Sequence, residues 1–220
     1  LNGERVKAGG KRAIVFAGGD LDPEGGRRSL LAGPWDLVAC ADSGARHALR
    51  LGMRPAALIG DMDSIDPADR AALAQAITVA FPTDKDKTDS QLAVEWALAQ
   101  GAGYVLIAGG VGSRFDHSLA NAHLLGLIHR AGAAGAVTDG RQSLHLLVDE
   151  LVLEAPKGYI LSILPLTSAC RGLVLRGLRW ELSGYDVEFG DTRTVSNEFT
   201  GEPARLSLAS GRALVIVTSP

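Results

Sequence analysis

The chain has 220 residues, 46% of them hydrophobic, and its 22 basic and 25 acidic side chains leave a formal net charge of −3. That apolar content supports a proper core and excludes a disordered polypeptide, and the near balance of charge, without a long basic run, argues against nucleic acid or an anionic membrane as partner. Apolar runs stay well below the roughly 20 residues of a membrane span, the Arg- and Lys-bearing start lacks a signal peptide's apolar core, and two distant cysteines, Cys40 and Cys170, indicate neither a disulfide framework nor a zinc site and fit a reducing cytoplasm.

From Ala13 to about Gly140, strand-like apolar runs alternate with Ala/Leu-rich segments of helical period, the pattern of βαβ units around a parallel sheet. The predicted strands are Ala13–Ala17, Leu37–Ala41, Ala57–Ile59, Thr78–Phe81, Tyr104–Ala108 and Ala136–Thr138. Between them, Asp66-Pro67 supplies an N-cap followed by proline at the first helical position, and Thr88-Asp89-Ser90-Gln91 matches a capping box whose helix stops at Gly101. In that helix Leu92, Trp96 and Ala99 share a face by spacing, so Trp96 is expected in the core. A further helix is expected over Ser118–Arg130.

Beyond Arg141 the texture changes to period-two alternation in Leu144-His145-Leu146, Tyr159–Leu164, Gly172–Leu175, Arg205–Leu208 and Ala213–Val217, with Gly, Pro, Ser and Asp between them. Short strands and tight turns of this kind make an all-β pattern. The expected fold is therefore α/β: a parallel, Rossmann-like three-layer domain over residues 1–140, followed by a smaller all-β sandwich over 141–220. So small a β domain is expected to dock or dimerise.

The chemistry-bearing residues fall at the carboxyl ends of the predicted strands, the edge where open α/β sheets bind ligands. These are Gly18-Gly19-Asp20, Asp42-Ser43-Gly44, Asp61 with Asp63, Asp84 to Asp89, and Gly109 to His117. One such aspartate is ordinary turn chemistry; five loops together suggest a magnesium–phosphate site. Asp61 and Asp63 are one residue apart, so both can face a hard cation while Met62 points away, and Mg²⁺ suits one or two carboxylates plus phosphate and water. Asp89 opens the capped helix, where the helix dipole also favours it. Lys85 and Lys87 are either mobile charges for phosphate or solvated surface residues. The glycines at 109, 110 and 112 let backbone amides approach phosphate, with Arg114 adding charge-assisted bonds. His117 reads as a helix-start or packing residue. Neither GxxxxGK[ST] nor a convincing GxGxxG is present.

The ordered motifs ADSG at 41–44, GDMDS at 60–64, DKDKTDSQLA at 84–93, GGVGSRFDHSLAN at 109–121 and TVSNEF at 194–199 together resemble the thiamin pyrophosphokinase family. The resemblance covers most of the chain, and the DxDxTD and GGxGxRxDH elements carry its specificity. It implies transfer of diphosphate from ATP to the thiamin hydroxyl, giving thiamin diphosphate and AMP, with Mg²⁺ as cofactor, and a cytoplasmic homodimer whose active sites lie at the subunit interface. It also implies Asp61, Asp63 and Asp89 at the metal with Asp42 beside them as catalytic carboxylates. Lys85, Thr88, Gly110, Arg114, Asp116 and His117 would serve ATP, and Ser196 and Asn197 thiamin, with Trp180 either stacking on the vitamin or packing in the core. Lys85 and the Gly18-Gly19 loop depart from animal members. Two other readings stand beside it: a metal-dependent nucleotide-sugar transferase using Asp61 and Asp63 as its DxD, and a non-catalytic thiamin- or nucleotide-binding regulator.

Overall fold

The structure, a computed structural model, describes residues 10–220 apart from Ser64, Thr83 and Lys85. Backbone contacts divide the chain into two compact units, one containing Arg28–Gly140 with the segment running up to Glu24, the other Arg141–Pro220 with Gly25–Arg27.

The first unit carries β1 (Lys11–Phe16), β2 (Leu37–Ala41), α1 (Ala45–Arg50), β3 (Ala57–Gly60), α2 (Pro67–Ala72), β4 (Ile77–Ala80), α3 (Asp89–Ala99), β5 (Ala102–Ala108), α4 (Phe115–Arg130) and β6 (Ala134–Thr138). Its strands are all parallel, in the order β6-β5-β1-β2-β3-β4. The chain walks from β1 out to β4, then crosses back to place β5 on the other side of β1, which makes the β1/β5 boundary the topological switch point where such sheets bind ligands. Both faces of the central strands are covered, so these strands read as continuous apolar runs; β5 is buried at every residue. Ile14, Phe16, Cys40, Leu58 and Leu106 pack in one cluster with Ala45 and Ala48 of α1 and Leu73 just after α2. On the opposite face Gly135 leaves room for Ile128 of α4, which a Cβ would meet at 3.0 Å.

Local signals placed the starts of α2 and α3. Asp66 caps α2, its carboxylate accepting from the Ala68 amide at 2.8 Å, and Thr88 caps α3, its hydroxyl accepting from the Gln91 amide at 3.2 Å. The box is half built, because the Gln91 carboxamide turns instead to Glu95 at 2.9 Å. The buried face of α3 is Ala93, Val94 and Ala97, whereas Trp96 is half-buried and Ala99 exposed. The Leu92/Trp96/Ala99 face was therefore misplaced: small residues let the helix close on the sheet, and Trp96 is too bulky for that seam. Helix α4 starts three residues earlier than its apolar period indicates, at the exposed Phe115.

The second unit carries β7 (Gln142–Leu147), β8 (Glu150–Leu153), β9 (Ile160–Pro165), β10 (Ala169–Arg176), β11 (Leu182–Glu188), β12 (Asn197–Glu198), β13 (Ala204–Ser207) and β14 (Ala213–Thr218). They form two antiparallel arrays, β12-β9-β14-β7 and β11-β10-β13-β8. Alternate residues of each face a shared core: Leu161 and Ile163, Ala213, Val215 and Val217 from one array, Leu173, Leu175, Leu206 and Val187 from the other, around the fully buried Phe199. Two inner faces interdigitating in this way make a β-sandwich. Strand β11 escapes the sequence pattern because LSGYDVE buries only Val187.

Candidate active site

Parallel strands deliver their carboxyl ends to one edge, and there the loops after β1, β2 and β5 and the start of α3 enclose a cavity of about 440 Å³. Its wall includes Gly18-Gly19-Asp20, Asp42-Ser43, Arg46, Thr88-Asp89-Ser90, Gly110 to Arg114, His117 and Asn121. The loops are stitched together by backbone: the Gly19 amide donates to the Gly109 carbonyl at 2.9 Å and the Asp20 amide to that of Val111 at 2.8 Å. Gly19 has to be glycine at this crossing, since a Cβ would lie 2.5 Å from the Gly109 oxygen.

Beside the cavity three carboxylates converge. One oxygen each from Asp42, Asp61 and Asp63 lie within 4.8 Å of one another. Two unusual backbone conformations produce this. Asp42 has φ 45° as it leaves β2, and Met62 has φ 65°, a region that side chains other than Gly, Asn and Asp rarely enter and that clusters at functional sites. The turn at Met62 sends its side chain into the core, 8% exposed, and leaves Asp61 and Asp63 for the cluster. Like charges at this separation repel by about 1–3 kcal/mol per pair at effective dielectric constants of 80 to 20. Of the trio expected at the metal, Asp61, Asp63 and Asp89, the structure brings Asp61 and Asp63 together, and the third carboxylate of this cluster is Asp42. Asp89 adjoins it: a Cβ on Gly60 would lie 3.0 Å from Asp89 Oδ1 and 3.2 Å from Asp42 Cβ.

Of the residues expected at the nucleotide, Thr88, Gly110, Arg114 and His117 line the cavity. Asp116 does not line it. Its carboxylate takes two bonds from Arg114, from Nε at 3.0 Å and Nη2 at 2.6 Å, and that guanidinium holds its pKa well below the usual carboxylate range. Asp116 therefore aims Arg114. Lys85 lies outside the described residues. Lys87 pairs with Glu95 at 2.8 Å, away from the cavity wall, and depresses the Glu95 pKa.

In the β-sandwich, Ser196, Asn197 and Trp180 come together. Asn197, 6% exposed, accepts from the Trp180 amide at 3.1 Å and the Glu198 amide at 2.9 Å, and donates to the Trp180 carbonyl at 2.7 Å. Both lone pairs of its carboxamide oxygen are used, so Asn197 holds the Trp180 backbone rather than reaching outward. Ser196 adopts φ 63°, its amide donating to Ser162 Oγ at 3.1 Å. Trp180 is 54% exposed, with the Arg179 guanidinium 4.6 Å from its ring centroid; the core-packing reading of this side chain fails.

Sequence reasoning missed Arg46, His47 and Asn121. Arg46 Nη2 donates to the Gly18 and Gly19 carbonyls at 2.9 and 3.3 Å, and His47 Nε2 lies 2.8 Å from the Gly19 oxygen. A carbonyl only accepts, so Nε2 carries the proton. Burial, opposed by that bond, lowers the His47 pKa. Helical spacing puts both residues one turn past Asp42, the signal that could have found them. Asn121 was visible only as the last residue of the GGVGSRFDHSLAN motif.

Comparison with known proteins follows the same division. Residues 30–133 match the model of the thiamin pyrophosphokinase catalytic domain, and residues 149–212 that of the thiamin pyrophosphokinase vitamin B1 binding domain. The chain is 28% identical over 180 residues to a thiamine pyrophosphokinase of Bacillus subtilis, covering 80% of this chain and 84% of the relative. The crystal structure of thiamine pyrophosphokinase from Bacillus subtilis superposes with a TM-score of 0.85 at 25% identity, covering 96% of this chain and all of that one. The Candida albicans thiamin pyrophosphokinase shares the fold, TM-score 0.81, at 12% identity over 96% of this chain and 90% of that one.

Proposed function

Because the chain belongs to the thiamin pyrophosphokinase family, we propose that it transfers an intact diphosphate from ATP to the hydroxyl of thiamin, releasing AMP and thiamin diphosphate. The observation that carries the reading to these residues is the convergence of Asp42, Asp61 and Asp63 beside a glycine-walled cavity that also presents Arg114. Neither the nucleotide-sugar transferase nor the regulator reading is favoured, since the family's catalytic and vitamin-binding models both match, in order.

The donor set fits a hard divalent cation: three carboxylate oxygens within 4.8 Å of one another suit Mg²⁺, which commonly keeps water and substrate phosphate as its remaining ligands. Asp42, Asp61 and Asp63 would hold it, with Asp89 adjoining. When bound, Mg²⁺ supplies neutralisation of the charge shared by the phosphate oxygens. The chain's own contribution is positioning and preorganised charge. The Gly110–Gly112 loop walls the cavity without offering those two glycine amides, which donate to the Thr138 carbonyl at 3.3 Å and to Ser118 Oγ at 3.0 Å. Thr88 and His117 stand at the wall, and Arg114, kept in place by Asp116, donates to phosphate oxygens. The thiamin oxygen forms a bond to the β-phosphorus as the bond from that phosphorus to the bridging oxygen of AMP breaks. The hydroxyl proton passes to a carboxylate, which we assign to the Asp42–Asp63 pair.

Thiamin recognition is assigned to the β-sandwich, residues 141–220, and catalysis to residues 1–140. Trp180, its backbone held by Asn197, offers an aromatic face to the cationic thiazolium, an attraction of about 0.5–2 kcal/mol. The exposed Phe189 and Trp180, 80% and 54% accessible, support a homodimer with thiamin at the subunit boundary. No helix among the described residues is long and apolar enough to cross a membrane, and a cytoplasmic setting is part of the proposal. Incubating the pure protein with ATP, Mg²⁺ and thiamin tests it: AMP and thiamin diphosphate should appear together, and AMP released at the same rate without thiamin would overturn the assignment.

A further inference from the structure

Asn121 sits on the second turn of α4 and is 7% exposed, yet it lines the cavity. Its Nδ2 donates to the Gly110 carbonyl at 2.8 Å. That bond fixes the orientation of the carboxamide, because the flipped side chain would set oxygen against oxygen. Among the described residues no donor reaches its Oδ1. A carboxamide pinned by its nitrogen in the wall of a cavity leaves its oxygen to accept from whatever fills that cavity, water or a ligand donor.

What can complete it is limited by chemistry and by place. Phosphate oxygens are acceptors, so the diphosphate is not the partner. Gly110 follows β5 whereas Asp61 follows β3, and with β1 and β2 between them the two ends of the site stand about 14 Å apart at the usual strand spacing. An extended nucleoside triphosphate with its reacting phosphates at the carboxylates is long enough to bring its nucleoside to Asn121. We propose that Asn121 is a specificity-determining residue for the nucleotide, its Oδ1 accepting a hydrogen bond from a donor on the nucleoside, a ribose hydroxyl or the adenine amine. This rests on the reading of ATP as diphosphate donor.

The test compares binding of AMP, 2′-deoxy-AMP, 3′-deoxy-AMP and IMP to wild type and to Asn121→Ala by calorimetry, alongside kcat/KM for the corresponding triphosphates. One analogue should bind about three- to tenfold more weakly than AMP to wild type, the worth of one neutral hydrogen bond. Loss with a deoxy analogue identifies the ribose, loss with IMP the amine. In Asn121→Ala that difference should vanish, AMP falling to the level of the analogue. Equal binding of all four by wild type overturns the assignment, as does a uniform loss across the series in the variant, the mark of a purely structural role, or a change confined to the KM for thiamin. Should Asn121→Ala not fold, Asn121→Ser replaces it and the wild-type series still decides. A wild type that makes no AMP from ATP and thiamin would sink the proposed reaction while the binding series continues to judge Asn121.

Discussion

Gly19→Ala isolates how far the reaction depends on two loops meeting backbone to backbone. The added Cβ would lie 2.5 Å from the Gly109 oxygen and 2.6 Å from that of Val111, against at least 3.4 Å for ordinary contact. The loops must then part by roughly 0.9 Å, stretching the Gly19–Gly109 and Asp20–Val111 hydrogen bonds, and misplacement by about 1 Å near reacting groups can cost about 100-fold. Overpacking of this kind costs about 1–3 kcal/mol of stability, which for a chain of this size lowers Tm by about 2–12 °C. The expected outcome is a fall of about 100-fold in kcat/KM for ATP, read as thiamin-dependent AMP, in a protein that remains folded. Gly52→Ala is the control. Gly52 has φ 66° with nothing within 4 Å of a Cβ, so alanine there costs about 1–2 kcal/mol of backbone strain and should leave kcat/KM unchanged. Wild-type kcat/KM in Gly19→Ala, or equal losses in both variants, would refute the reasoning.

Asp42→Asn and Asp61→Asn should each lower kcat/KM at least about 100-fold and raise the Mg²⁺ needed for half-maximal rate. Their Tm should hold or rise, since each relieves carboxylate repulsion; a Tm loss as large as that of a core truncation would count against the cluster. His47 titrates below the ordinary imidazole value because burial penalises its cation. The native state then binds fewer protons than the unfolded chain, so its contribution is complete above pH ~6.5 and is lost as pH falls towards the folded-state pKa. Melting curves between pH 8 and 5 should flatten in His47→Gln, and an unchanged slope would show that His47 is not the titrating group. Trp180→Ala should raise the KM for thiamin about tenfold with Tm nearly unchanged, whereas Asn197→Ala should add a stability loss of about 1–3 kcal/mol; chemical denaturation and steady-state kinetics separate the two.

The sequence by itself determined whatever is local. The period of Tyr104–Ala108, the caps at Asp66 and Thr88, and the change to alternation after Arg141 each depend on neighbours a few residues away, where backbone sterics and side-chain burial act directly. The motifs likewise announced carboxylates and a glycine-rich loop at strand ends. Tertiary structure alone decided which of these meet. That Asp42 joins Asp61 and Asp63 depends on β2 lying beside β3 and on the left-handed turn at Met62, while Gly19 touching Gly109 depends on β5 inserting next to β1. Asp116 spends its charge on Arg114, and Asn121 keeps an unmet oxygen towards the cavity, because of distances between groups whose order along the chain says nothing of their separation in space. Such pairings come from strand order, set by the balance of burial over the whole sheet, and no short window of residues encodes that balance.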